Sequence, residues 1–516
     1  MGWRQRGRTM ALACAGVVAL AVVVPLGLQS LSARFAITGM AEGATVTPER
    51  LADLAVTGNV DDVEVLLDGH TVEVRRTGDR LVLASPDVYD GTHTVTARRA
   101  RTMLPDNEVT RTVTVDGTPP RLSVDDTEVT DLRGRFTLRG QAKGASVVTV
   151  DHTPAHLSGD AFNVELPSVP TSVLVVARDA AGNSTASEYT VQTRHPGMRA
   201  VHMSALGWTS AALRDPVLRM VAEHRIDTVQ LDIKDENGEI GYDSQVPLAR
   251  EIGATRGHYD VKAVTDELHA AGVRVVGRLV AFRDPILAQA SWRAGRTDRV
   301  LQTGDGRPWA GSYGDFAFTN FANEEVIGYN IALATEAAKL GFDDILYDYV
   351  RRPEGALTQM RIPGLVGTPE QAIADFLGRS RTAVRAHGAF LGASVFGIAA
   401  SRPTAIAQDI PAMAANADYI APMVYPSHWG PGEYGVAQPE AQPYDIVARS
   451  VAAFTEQMRG TGAEVVPWLQ AFSLRRTYGP AEVQTQIRAA ADSGTNSFLL
   501  WDAACHYDPA AVPPAG

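Results

Sequence analysis

From residue 197 onward the chain alternates short apolar runs with helix-like segments, and this alternation limits its fold more than any other feature. Candidate strands cover residues 199–208, 227–238, 273–282, 343–352, 390–397, 418–426, 464–472 and 496–503. Helical patterns lie between them, among them 264–272, 330–341 and 483–494, and several end in the glycine that closes a helix with a left-handed residue. Short apolar runs bounded by turn signals suit strands buried on both faces, as in a parallel sheet. Eight strand–helix units in roughly 300 residues fit a (β/α)8 barrel. An open doubly wound sheet is the alternative, but no glycine-rich phosphate loop follows any strand.

The residues ahead of the barrel read differently. Runs at 63–69, 70–76, 80–85 and 92–100 alternate apolar with polar residues between Gly, Asp and Asn turns. Pro119 and Pro120 interrupt this pattern, which then repeats. Two all-β sandwiches are expected, over 34–116 and 117–195, with the barrel over 196–516. The stretch from Ala177 to Asn183 with its flanking strands resembles the last hairpin of bacterial immunoglobulin-like wall and adhesion modules. That resemblance implies spacers or weak glycan-binding modules, and spacer is the reading adopted, because a fold alone does not define a function.

At the N-terminus, Arg4, Arg6 and Arg8 precede an apolar run from Met10 to Leu28, just long enough to cross a bilayer. Residues 1–33 are therefore expected to be a membrane anchor or a cleaved signal, with the remainder outside the cytoplasm. The net charge of -12 argues against a nucleic-acid partner. Of the two cysteines, Cys14 lies in the apolar run and Cys505 near the end, so neither a disulfide framework nor a Cys metal site is expected. No histidine pair has helical ligand spacing and no calcium loop occurs, so neither metal nor other cofactor is expected. There is no Gly-x-Ser-x-Gly elbow, and Ser394 reads as a packing residue.

A barrel of this kind carries its chemistry at the C-terminal ends of its strands. The second candidate strand ends in Asp232, Lys234 and Asp235, the third brings Arg278 and then Asp284, and the fourth brings Asp348 and Arg351. The sixth ends near Tyr425 and His428, the seventh at Trp468 and Gln470, the eighth at Trp501 and Asp502. Carboxylates can act as acid, base or nucleophile, aromatic rings stack on sugars, and the remaining polar groups bind hydroxyls. The mixture fits a carbohydrate site better than a phosphate or nucleotide site.

Taken in order, LDIKDENGEIGYDS, RLVAFRDPILA, AAKLGFDDILYDYVRRP, SVFG, YIAPMVYPSHW and VPWLQAF resemble a family of bacterial glycoside-hydrolase-like TIM barrels from about residue 199 to 508. Two departures stand near the expected site. The family has Phe where this chain has Arg352, and Asn-Pro-Tyr follows its loop tryptophan where this chain has Gly311-Ser312-Tyr313 after Trp309. The resemblance implies a glycosidase-like fold, and the chain is read as an exported, membrane-tethered glycoside hydrolase acting on an extracellular or cell-wall polysaccharide. Asp348 is expected to be nucleophile or transition-state stabiliser, kept ionised by Arg351, with Asp235 as acid ahead of Asp284 and Asp502. Lys234, Arg278, Tyr425, His428 and Gln470 would orient hydroxyls, and Trp468 and Trp501 would stack on sugars; Asp232 completes the substrate-binding set. The rival expectation is a glycan-binding scaffold without chemistry, because no Glu is read at a strand tip; a lyase or transglycosylase on the same barrel is a third.

Overall fold

The computed structural model describes residues 35–84, 88–101 and 106–514. The expected anchor or signal over 1–33 lies outside them. Among the described residues no helix is long and apolar enough to cross a membrane. The described residues divide into two compact units, one within 35–126, 137–165 and 172–190, the other within 127–136, 166–171 and 191–514.

The N-terminal unit is β-rich. Phe35–Thr38, Ala55–Gly58, Arg80–Leu83 and Val74–Thr77 form one sheet, and Ala44–Val46, Asn107–Val115, Gly91–Arg99, Glu64–Leu67 and His70–Thr71 form another. Period-two alternation turns Val95 and Ala97 inward to meet Phe35, Ile37, Val56 and Val113 in one shared core. Further on, Val147–Val150, Ser172–Arg178 and Ser184–Thr190 pair antiparallel.

In the second unit eight parallel strands close a barrel: Arg199–Met203, Thr228–Lys234, Arg274–Val280, Asp344–Asp348, Phe390–Phe396, Tyr419–Met423, Trp468–Gln470 and Phe498–Trp501. Each pairs with its sequence neighbours, and the last pairs with the first. The strands stop one to five residues short of where the candidate runs end, because each tip bends into a loop. Helix Glu324–Leu340 shows how the intervening elements are delimited: Asn323 caps its first turn and Gly341, at φ 119°, ends it in the left-handed region.

Side-chain alternation sorts the barrel into two layers. Ala200, Val276, Leu346, Ala421 and Leu499 fill the interior, while Val201, Leu231, Val275, Ile345 and Tyr347 face the helices. Each buried aliphatic side chain contributes about 1.5–3 kcal/mol. At the N-terminal end, Asp344 binds His195 at 2.8 Å and Arg274 at 2.7 Å, a buried cluster on the face associated with stability. The same strand ends at Asp348, on the opposite face.

The second strand breaks its alternation. Asp232 pairs with Arg278, but the register shifts before Lys234, which pairs with Leu279. Such an irregularity re-aims the side chains that follow it. Asp232 stays inside the barrel, whereas Ile233 and Lys234 both turn outward to the helix layer.

Candidate active site

Arg278 organises the C-terminal face. It projects inward from the third strand, 1% exposed, and its guanidinium serves three carboxylates. Nη1 donates to Asp232 Oδ1 at 3.0 Å; Nε and Nη2 donate to Asp348 Oδ2 at 3.0 and 2.7 Å; Nη2 also donates to Glu236. A planar fork can satisfy several acceptors at once, which a lysine ammonium cannot do in the same geometry. Burial opposes its charge, but Glu236, Asp232 and Asp348 outweigh that and raise the pKa further.

Behind this group lies His202, 2% exposed and stacked on Trp501 with ring centroids 4.1 Å apart. Its Nε2 is 3.2 Å from Asp232 Oδ1. Burial alone would drive the proton off His202, but the Asp232 carboxylate prevails and lifts the pKa to about 9. Asp232 itself is pushed up by burial and pulled down more strongly by His202 and Arg278, so it is held ionised. The result is a row of alternating charge, with two cations against three carboxylates.

Asp348 is fixed at both oxygens. Oδ2 takes the two Arg278 bonds and Oδ1 accepts from the Tyr349 backbone N–H at 2.7 Å. Tyr349 has φ 48°, a left-handed conformation that costs a bulky residue roughly 1–3 kcal/mol and is concentrated at functional sites. Glu236 has a single side-chain bond, to Arg278, and a side chain 26% exposed. Burial raises its pKa, but Arg278 outweighs that and holds it below the ordinary range.

Both carboxylates open into a cavity of about 410 Å³ lined also by Tyr313, Tyr349, Phe396, Met423, Tyr425, His428, Trp429, Trp468 and Trp501. Trp468 meets Trp501 edge-to-face at 5.5 Å and donates its indole N–H to Ser394 at 3.0 Å. Burial and then Asp348 keep the Tyr425 hydroxyl protonated, while burial and Arg475 push the His428 pKa down. A Cβ on Gly397 would come within 2.5 Å of Trp429, so only glycine admits that ring beside the cavity.

Of the expected site residues, Asp348, Arg278, Tyr425, His428, Trp468 and Trp501 line this cavity, and Asp232 lies beneath it. The others do not line it. Asp235 binds the backbone of Asn237 and Glu239 at 2.9 Å each, closing its own turn, and burial raises its pKa. Lys234 and Asp284 form a fully buried pair at 2.7 Å, and Asp284 also caps helix Pro285–Arg293 through Leu287 N–H. Gln470 accepts from Ser427 N–H at 3.0 Å and so holds the loop that carries His428. Arg351 packs 4.1 Å from the Phe396 ring and donates to Tyr313, and it is Arg278 that contacts Asp348. Asp502 accepts from Ala504 N–H in a separate cavity of about 480 Å³. Arg352, the family departure, donates to the Pro353, Gly355 and Thr404 carbonyls and holds its loop.

Sequence reasoning missed Glu236. It stands two positions past the end of the second strand at Lys234 and beyond the register shift, where period-two counting from Asp232 no longer tells which side chain faces the cavity. With Glu236 present, a strand tip does carry a glutamate. Among the described residues no group of three or more His, Cys, Asp or Glu side chains is arranged to hold a metal ion.

A closed parallel (β/α)8 barrel with a carboxylate-bearing, aromatic-lined cavity at its C-terminal strand ends is thus the class of molecule described. Residues 200–507 match the family described as "Putative glycosyl hydrolase domain" (DUF4015), and the chain belongs to that family. A hypothetical protein from Ruminiclostridium thermocellum is similar at 28% identity over 37% of this chain and 96% of its own, with TM-score 0.34. The PgaB (BpsB) glycoside hydrolase domain of Bordetella bronchiseptica is 14% identical over 60% of this chain and 95% of its own, with TM-score 0.46. The Thermus thermophilus alpha-galactosidase is 15% identical over 79% and 88%, with TM-score 0.39. No curated protein matches the chain.

Proposed function

We propose that this chain is an exported glycoside hydrolase that cleaves an extracellular or cell-wall polysaccharide through Asp348 and Glu236. One observation carries the reading: a single buried guanidinium, Arg278, binds both carboxylates at the edge of an aromatic-lined cavity. Asp348, bonded at both oxygens, suits the nucleophile, which must hold its place as the anomeric carbon approaches. Glu236, with one bond and partial exposure, suits the acid that protonates the leaving oxygen and then takes a proton from the incoming water. Because both share Nη2, their bonded oxygens stand no more than about 5.5 Å apart, two charge-assisted hydrogen bonds end to end. A limit this short lies below the range of about 6.5–9.5 Å for inverting enzymes, and retention is the outcome proposed. Trp501 and Tyr349, both partly exposed at the cavity, supply ring surface for sugars, and Trp468, 1% exposed, packs edge-to-face against Trp501 to hold it there. Family membership supports the activity, the basic–apolar N-terminus supports export, and immunoglobulin-like spacers are the role proposed for the N-terminal sheets.

A glycan-binding barrel without chemistry is the second reading. It is favoured by the lowered pKa of Glu236, which leaves the resting acid without its proton. Purified protein offered bacterial cell-wall and storage polysaccharides separates the two when new reducing ends and their anomeric configuration are read. Cleavage with retention by wild type, lost in Asp348→Asn and Glu236→Gln, is the expected result. Binding without cleavage by the wild type would transfer the assignment to the second reading.

A further inference from the structure

A second cavity adjoins the first. It has a volume of about 630 Å³ and shares His428 and Trp429 with the active-site cavity. Both volumes lie within the roughly 300–1,000 Å³ of ligand sites, and the two cavities are neighbours on either side of His428 and Trp429. Their charges differ. The active-site cavity sets Arg278 against Asp348 and Glu236 and is net negative. The outer cavity sets Arg475 and Arg476 against Glu440 alone, beside a His428 whose pKa burial and Arg475 push down, and is net positive.

The two arginines are differently held. Arg475 donates from Nε to Glu440 Oε2 at 3.0 Å and also binds the Ser427 carbonyl, so its guanidinium is anchored across the groove. Arg476 donates its backbone N–H to Glu440 at 3.2 Å. Its exposed guanidinium has no ion-pair partner among the described residues. A planar guanidinium matches a carboxylate or phosphate in two parallel hydrogen bonds, which is the chemistry an unpaired arginine on a groove wall offers.

We propose that the outer cavity is an anion-selective glycan subsite, in which Arg476 beside Arg475 takes a carboxylate or phosphate carried by a sugar unit next to the one cleaved. The inference rests on the glycan-processing reading above. The negative inner cavity disfavours an anion on the cleaved unit itself, so the substrate class is a polymer in which uncharged and anionic units adjoin.

Binding tests this without requiring cleavage. The full chain carrying Asp348→Asn would be titrated with hexasaccharides alternating neutral and uronate units, with their carboxyl-reduced forms, and with hexasaccharides bearing glycerol phosphate. The expected result is binding about tenfold tighter for the uronate or the phosphate form than for the reduced form, with the tighter of the two identifying the source of the anion. The advantage should shrink as salt is raised, disappear in Arg476→Gln and persist in Arg476→Lys. Because the Arg476 guanidinium makes no hydrogen bond or ion pair among the described residues, its loss should leave the thermal unfolding curve unchanged. Equal binding of charged and reduced glycans, or an advantage that survives Arg476→Gln, would overturn the proposal. Anion-selective binding by a wild type that cleaves nothing would retain this subsite and reject the hydrolase.

Discussion

At the residue scale the site depends on Arg278, because three carboxylates, two of them buried, have it as a common partner. Arg278→Lys keeps the charge but not the fork, so it should lower kcat by about 10²-fold or more while the protein remains folded. Glu236→Gln should cost about 10²–10⁴-fold on natural glycosides and much less on aryl glycosides whose leaving group needs no proton, a split that a merely structural glutamate would not produce. In free enzyme Glu236 gives up its proton below the ordinary glutamate range, so kcat/KM should be highest in acid and fall as pH rises through the titration of Glu236. His202 makes a separate prediction. It binds its proton more tightly folded than unfolded, so the stability it contributes is complete below about 6.5 and is lost as pH rises through about 9. Calorimetry of the barrel's unfolding across that interval should show the decline in wild type and a flatter profile in His202→Gln.

At the element scale the register shift in the second strand decides what each residue of the Asp232–Glu236 segment does. Without it, Asp232 and Lys234 would share the interior face. With it, Lys234 is sent among the helices to meet Asp284 and Asn330, and Asp284 in turn starts a helix. Lys234→Met would leave Asp284 buried and unpaired, so a loss of about 3–5 kcal/mol is expected by denaturant titration. The residual folded protein should keep its affinity for glycan, since Lys234 does not line the cavity. Loss of binding with stability intact would return Lys234 to the site.

At the scale of the whole molecule, the proposal of export is checked by fractionation. The chain should sediment with membranes and resist an alkaline wash, whereas a chain beginning at residue 34 should be soluble; a wild type recovered free in the medium would identify a cleaved signal instead. The barrel was legible because it is written in local terms: eight apolar runs, helical periods between them, and glycine at a helix end are each set by a few adjacent residues. The anchoring carboxylate was legible for the same reason, since Asp348 ends an apolar strand and strand ends face the cavity. Its partner was not. Asp235 and Glu236 are adjacent and chemically alike, and what separates them is a turn that uses one carboxylate and an arginine on another strand that takes the other. Arg351 and Lys234 were misplaced on the same ground: their charges were visible, but their partners, the Phe396 ring and Asp284, come from elsewhere in the chain. The sequence by itself determined the order of elements and the residue types on offer at each strand tip, because these depend on local periodicity. Only the tertiary structure decided which carboxylate meets which cation, because in a buried site that choice depends on directions and distances between strands far apart in the chain.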